Sequence, residues 1–593
     1  MKNVIYILVD ALSYDNIGKK AYRNSPTPFL DKISEKSLYC ENMYTQAPYT
    51  EAAFISSLAG EKTLENGGYM LGLKKCKKSY GELLGGKGYK TFSTFSPYVY
   101  SSTYVKAIEQ YFYSRIYSLS PLKIYRLSYF RDLYDKSKLT REHLDVCEEL
   151  LEDAFEIWLD QLNGLLGENE HNIMVQKLVS VKIIPEVKAL VEAEYKQFKM
   201  DSHKYVSNLF ENWDKHSLFL IKTLECKKKH SEKVHSEIVK NEMEYLEKIQ
   251  EKYRRLMKKN MKIDWKYLFD LARYDDSEKL YGARHALNGY LGLYNSTLLT
   301  DVITKHVEYD KITISAKTQL DVFYDKIKQA DENDENYYAF IHIEDLHLPC
   351  MYYTYDTDDY SVIQKEFEYH KKYTECLPAN YRGNLAADLS THYIDYYLGQ
   401  FFEKMNQNKK NDFLFIVTAD HGFPSNYNPP RPLIYNSFYQ ENYHIPFIMY
   451  DSKEKKQLID YELHSSRDIF DFVIGKALEE KNVTLPNRDY VMVEYPGPGC
   501  PDISKNRLYY AIHDGNYKIA AKAKLTENID EETVILIFNV REDPDEKKNL
   551  VRKEYDNEQV SKLIRILQKR HEVLREKYQG EKFYKYIVNS EEK

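Results

Sequence analysis

The chain opens with a wholly apolar run, Val4-Ile-Tyr-Ile-Leu-Val9, and comparable runs recur at 337–343, 412–418 and 445–450. Short apolar runs bounded by turn residues predict strands buried on both faces. Between the first and second of them lie helix-compatible stretches from Thr27 to Lys36 and from Ser79 to Leu84. The latter leads through Gly85-Gly-Lys-Gly88 into a β-branched and aromatic strand, Lys90 to Phe95. Such alternation predicts an α/β fold with a mainly parallel sheet sandwiched by helices. Residues 103–314 differ in texture: Glu, Lys, Leu and Tyr dominate, and Gly and Pro become sparse. Val239, Met243, Leu246, Ile249, Tyr253 and Leu256 form a stripe at helical spacing. A long helical insertion is expected there, its charged residues a solvated face, and it offers a surface for a partner or a second copy. The α/β texture resumes at about 315, with an amphipathic helix from Asp388 to Met405. After about 485, short strands at 490–494, 507–513, 517–520 and 534–538 and a helix from Asn557 to Tyr578 predict a small antiparallel sheet with a closing helix. The expected divisions are 1–102 and 315–484 for the α/β core, 103–314 for the insertion and 485–593 for a C-terminal subdomain.

Composition narrows the class. The 593 residues carry 84 Lys+Arg against 91 Asp+Glu, a net −7, so no basic field argues for a nucleic-acid platform. No apolar run approaches the ~18 residues of a transmembrane segment. The N-terminal run is too short for a signal peptide and lacks a cleavage site. Seven cysteines without a Cys-x-x-Cys pair indicate neither a disulfide framework nor a cysteine-built zinc site. Together these features predict a cytoplasmic chain.

Ligands of an open α/β sheet gather beyond the carboxyl ends of its strands. The first strand ends in Asp10, and the strand at 412–418 ends in Ala419-Asp420-His421-Gly422. Charged groups at the end of a buried strand need compensation, and a divalent cation provides it. Carboxylate plus imidazole suits manganese or zinc better than magnesium or calcium. In the segment from Ala47 to Gly60, Pro48 favours extended backbone before it and Gly60 is a natural helix stop. Thr50 then stands at a helix N-terminus, where an anion is favoured; taken alone, it reads equally as a simple N-cap.

In combination, Asn3-Val-Ile-Tyr-Ile-Leu-Val-Asp10, the Thr50 segment closing on Leu58-Ala-Gly60, and Val417-Thr-Ala-Asp-His-Gly422 resemble the sulfatase branch of the alkaline phosphatase superfamily. Ser79 to Thr91 resembles that family's helix–Gly-Tyr–strand segment. Ile343-Glu-Asp-Leu-His-Leu-Pro349 resembles its Asp-x-His-x-Pro motif, and His444-Ile-Pro-Phe its Val-Pro strand. Tyr509 to Lys518 and Phe538 to Leu550 resemble its C-terminal subdomain. The resemblance covers about residues 1–100 and 320–550.

It implies that Asp10, Thr50, Asp420 and His421 hold one divalent metal and that Thr50 is also the nucleophile. Asp345 and His347 face the same site, with His347 meeting the substrate oxyanion or leaving group. His444 and Arg431 are further candidates for substrate or second-metal contact. Family sulfatases convert a Cys or Ser within Cys/Ser-x-Pro-x-Arg to formylglycine. Here the segment is Thr50-Glu-Ala-Ala-Phe54, whose Thr50 carries a Cβ methyl and whose Pro and Arg are missing, and Ala11 stands where many sulfatases have a second metal-binding Asp. The expectation is therefore a phosphoesterase or phosphotransferase acting on a phosphodiester or phosphonate ester, its substrate a small molecule or a glycan- or lipid-linked phosphoester. A sulfuric ester hydrolase is one alternative. A catalytically silent binding protein, suggested by the insertion and by 56 Tyr residues against 3 Trp, is another.

Overall fold

The computed structural model describes residues 1–18, 25–65, 76–94, 109–112, 133–166, 184–213, 215–221, 262–274, 315–347, 360–376, 385–408, 410–422, 438–454, 456–495, 508–551 and 553–578, with isolated positions between. Eight strands form the main sheet: β1 (Asn3–Val9), β2 (Leu38–Tyr44), β3 (Lys90–Thr94), β4 (Glu109–Phe112), β5 (Tyr337–Ile343), β6 (Phe413–Thr418), β7 (His444–Asp451) and β8 (Leu458–Ser465). Their order is β4-β3-β5-β1-β6-β7-β2-β8. β1 lies between β5 and β6, parallel to both. Every residue of β1 and β5 is buried, as the unbroken apolar runs require.

Only β7 is reversed, pairing antiparallel with β6 and β2. Its N-terminal end therefore lies with the carboxyl ends of its neighbours, so the start of β7 reaches the same sheet edge as Asp10 and Asp420. β2 and β8, neither expected from the sequence, complete that side. β8 is an edge strand with Leu458 and Tyr461 exposed, so its apolar pattern is broken.

Helix Thr50–Ala59 packs on helix Ser466–Ala477, where Ser56 Oγ lies 3.1 Å from Ser466 Oγ. It ends at Gly60, whose φ of +68° is left-handed. Helix Leu385–Asn408 covers another part of the sheet and supplies Asp395, which accepts the Phe29 and Leu30 backbone N–H groups at 2.8 and 2.9 Å. Those donors open helix Pro28–Ser34, so a buried carboxylate joins the two helices.

The C-terminal sheet has the order β12-β11-β10-β9, with β9 Val491–Tyr495, β10 Leu508–His513, β11 Tyr517–Ala523 and β12 Val534–Asn539, all antiparallel. Helix Glu558–Tyr578 closes it. From that helix Arg570 makes a two-pronged contact with Glu494 of β9 at 2.7 and 2.5 Å and reaches Glu65 at 2.7 Å. A buried, multiply bonded guanidinium thus ties the small sheet to the segment that follows the Thr50 helix.

Within 103–314, helices Arg141–Leu166, Ile184–Met200 and Ser202–Glu211 pack together, with Tyr205 donating to Glu194 at 2.6 Å and Ser202 to Glu148 at 2.8 Å. β4 departs from the expectation of an all-helical insertion. It pairs parallel with β3 and extends the main sheet past residue 102. The stripe from Val239 to Leu256 lies outside the described residues. No helix among the described residues is long and apolar enough to cross a membrane.

Gly60 offers a direct test of this packing. A Cβ there would lie 3.1 Å from Phe470 Cδ1 and 3.3 Å from the Arg467 carbonyl, on a backbone L-residues rarely adopt. Gly60→Ala should cost about 1–2 kcal/mol, read as a lower urea midpoint; an unchanged midpoint would contradict this helix end.

A candidate metal-assisted active site

Four side chains from three strand or helix ends meet at the carboxyl edge of β1 and β6. Asp10 follows β1, and its backbone N–H still donates to the Ile343 carbonyl at 2.9 Å, so the sheet pairing fixes where the carboxylate starts. Ala11 turns with φ +62° and donates its N–H to Asp420 Oδ1 at 3.1 Å. The His421 N–H reaches the same oxygen at 2.8 Å. Thr45 Oγ1 holds the Asp420 carbonyl at 2.5 Å. Thr50 opens its helix behind Tyr49, which makes no side-chain cap bond. Its Oγ1 donates to Asp10 Oδ2 at 3.2 Å and lies 3.3 Å from His421 Nε2.

His421 is held in one tautomer. Its Nδ1 lies 2.8 Å from the Gly422 carbonyl, an acceptor only, so Nδ1 carries the proton and Nε2 presents a lone pair. That Nε2 is 3.7 Å from Asp10 Oδ1 and 3.5 Å from Asp420 Oδ2. Both of these carboxylate oxygens are buried without a hydrogen-bond partner among the described residues. Two orphaned carboxylate oxygens, an imidazole lone pair and a hydroxyl converging on one point are what a divalent cation requires, so the residues present fit a metal.

The electrostatics lead to the same fit. Burial pushes the Asp10 carboxyl up, but the charge of His347, the hydrogen bond from His342 and the charges of His421 and His342 outweigh it and hold Asp10 well below the ordinary carboxylate range. Burial and the Asp10 charge push Asp420 the other way, above its ordinary value. Each carboxylate disfavours ionisation of the other, and a cation between them would relieve that repulsion.

Sequence reasoning missed His342. It lies on β5 opposite Leu8, is buried, and has Nε2 3.4 Å from Asp10 Oδ2. Burial pushes its pKa down, but the Asp10 hydrogen bond and charge reverse the effect and leave it raised. Asp10, His342 and Asp420 offer ligand atoms within 4.8 Å of one another. The available signal was one imidazole in the apolar run Tyr337–Ile343, where a polar group needs a partner.

Four other predicted residues remain. His347 lies exposed on the turn after β5, within electrostatic reach of Asp10. Asp345 is buried and spends one oxygen on the Ala316 N–H at 2.9 Å, at the start of helix Ala316–Glu332. His444 corrects the expectation of a substrate or second-metal contact. Its Nε2 donates to the Glu41 carbonyl at 2.7 Å, which leaves Nδ1 to accept from Gln440 Nε2 at 3.2 Å. The ring is stacked on Tyr14 at 3.9 Å and Tyr44 at 4.8 Å, so both nitrogens are engaged in holding the wall of the site. Arg431 lies outside the described residues.

The Sulfatase family model matches residues 2–209 and 266–477, and the chain belongs to the sulfatase family. The family generally depends on a metal. No curated protein matches the chain by sequence. Among solved structures, a candidate sulfatase, yidJ of Bacteroides fragilis, is 12% identical over 99% of this chain and 97% of its own, with a TM-score of 0.48. The phosphonate monoester hydrolase of Agrobacterium radiobacter is 11% identical over 98% and 96%, with a TM-score of 0.45. A sulfatase (BT33494S-sulf) from a glycosaminoglycan-metabolism locus of Bacteroides thetaiotaomicron is 11% identical over 97% and 96%, with a TM-score of 0.46. Likenesses at this level carry no argument about substrate.

Gly422 explains why a residue without a side chain follows His421. A Cβ there would lie 1.9 Å from the Glu441 carbonyl oxygen and 2.7 Å from Ser13 Oγ. Gly422→Ala must displace the loop that fixes the His421 tautomer. Isothermal titration with manganese or zinc should show at least a ~10-fold loss of affinity, with circular dichroism unchanged; retained affinity would remove His421 from the ligand set.

Proposed function

We propose that this chain is a metal-dependent phosphoester hydrolase or phospho-group transferase that attacks a phosphodiester or phosphonate ester through Thr50. The observation that carries this reading is Thr50 Oγ1, 3.2 Å from Asp10 Oδ2 and 3.3 Å from His421 Nε2, beside two orphaned carboxylate oxygens. The metal would be held by Asp10, Asp420, His421 and Thr50, with manganese or zinc favoured by the carboxylate–imidazole set. When bound, it supplies a Lewis acid that lowers the hydroxyl pKa and shares the charge developing on the substrate.

The chain's own residues account for the rest. Thr50 Oγ bonds to phosphorus as the P–O bond to the departing alcohol breaks, and its proton passes to solvent water while Asp10 Oδ2 orients the hydroxyl. The dipole of the ten-residue helix that Thr50 opens favours the substrate oxyanion. His347, exposed on its turn, donates a proton to the leaving oxygen. The phospho-threonine then passes its phosphoryl group to water or to an acceptor alcohol, and Oγ regains a proton. His342, behind Asp10, positions that carboxylate.

The threonine supports a phosphorus ester over the sulfatase alternative. Formylglycine is an aldehyde formed at an unbranched Cβ; oxidation at the branched Cβ of Thr50 cannot give one. The retained donor set likewise argues against a silent binding protein.

Matched nitrophenyl esters test the reading, with manganese or zinc added. Phosphodiester or phosphonate monoester turnover should exceed sulfate turnover. Thr50→Ala should lower it by at least about 10³-fold, and Thr50→Ser should retain a measurable fraction. Sulfate turnover alone, or full activity in Thr50→Ala, would overturn the proposal.

A further inference from the structure

A second cluster lies between the edge strand β8 and its neighbour β2. Cys40 is fully buried on β2 and pairs in register with Asp460 on β8. The pairing then advances from Cys40↔Asp460 to Asn42↔Leu463, two residues on β2 against three on β8. This bulge shortens the path along β8, and Glu462 N–H closes a turn onto Asp460 Oδ1 at 2.9 Å. On a regular strand, residues four apart stand roughly 13 Å from each other. Here His464 Nε2 comes within 3.1 Å of Asp460 Oδ1.

The orientation of His464 is the telling feature. Its Nδ1 lies 2.9 Å from the Pro486 carbonyl, so Nδ1 carries the proton and Nε2 offers a lone pair. The side chain is 1% exposed, and Nε2 has no hydrogen-bond partner among the described residues. With the ring neutral, the Nε2 lone pair faces the Asp460 carboxylate at 3.1 Å, and a cation, either a proton on Nε2 or a metal ion, satisfies both groups. Cys40 Sγ completes the set, since the ligand atoms of Cys40, Asp460 and His464 lie within 4.8 Å of one another.

We propose that Cys40, Asp460 and His464 form a second metal site, separate from Asp10, Asp420, His421 and Thr50, that takes zinc or a comparably thiophilic divalent ion. Sulfur, imidazole and carboxylate donors suit zinc, and a structural zinc is four-coordinate. The fourth position opens toward solvent on the Asp460 side, where that side chain is 23% exposed. Binding breaks the Cys40 S–H bond, forms a sulfur–metal bond and releases the proton to solvent. The site fastens an edge strand whose last residue, Ser465, caps helix Ser466–Ala477. That helix packs against the helix opened by Thr50, so the clip braces the support of the catalytic face.

The test uses the full chain loaded with zinc or cobalt(II) and then desalted. Wild type should retain two metal ions per chain, and Cys40→Ser and Asp420→Asn one each. Cobalt-loaded wild type and Asp420→Asn should both show a thiolate-to-cobalt charge-transfer band in the near ultraviolet. Cys40→Ser should lack it, and His464→Gln should bind at this site at least tenfold more weakly. If Cys40→Ser does not fold, the wild-type spectrum and His464→Gln still decide. Absence of the band in wild type at saturating cobalt, or its persistence in folded Cys40→Ser, overturns the proposal.

Discussion

Two carboxylates buried at the ends of paired strands impose the constraint around which this fold is arranged. Asp10 and Asp420 leave β1 and β6 side by side, almost without exposure. Removing one such ion from water costs several kcal/mol, and a like-charged neighbour adds to that. The surrounding residues answer with donors and positive charge. Ala11 and His421 give backbone N–H groups to one oxygen of Asp420, while His342 and the Thr50 hydroxyl approach Asp10. One oxygen on each acid is left over, turned toward the His421 lone pair. A cation at that point relieves the repulsion that the backbone topology creates.

The same constraint explains features remote from the chemistry. A reversed β7 brings its N-terminal turn to the active edge, where the backbone of 441 and 442 abuts Gly422. The His444 ring, stacked between Tyr14 and Tyr44, makes that turn rigid. The position of Thr50 depends in turn on the contact between its helix and Ser466–Ala477, which leaves little room for a side chain at Gly60. Catalytic geometry thus rests on backbone contacts that would change little with the identity of the ester.

Much of this was legible in the sequence because buried parallel strands read as unbroken apolar runs. The strand from Asn3 and the one ending before Asp420 lie within a residue of their expected bounds, as does the closing helix. Asp10, Thr50, Asp420 and His421 converge as their motifs imply. What escaped has physical causes. β8 has one face in solvent and a bulge, so its period is broken. β4 is only four residues long, too short for a period to show. His342 was hidden because one imidazole among six apolar positions carries no spacing signal. The expectation for His444 came from its place in the chain, and only atomic contacts reveal that both ring nitrogens are engaged.

The central claim is that the group attacked becomes bonded to Thr50. The most direct measurement is peptide mass spectrometry after rapid acid quench of the metal-loaded enzyme during turnover of a phosphonate or phosphodiester substrate. The account predicts a mass increase equal to the transferred phosphorus group, mapped by fragmentation to Thr50. Turnover that proceeds with the label on another residue would contradict it.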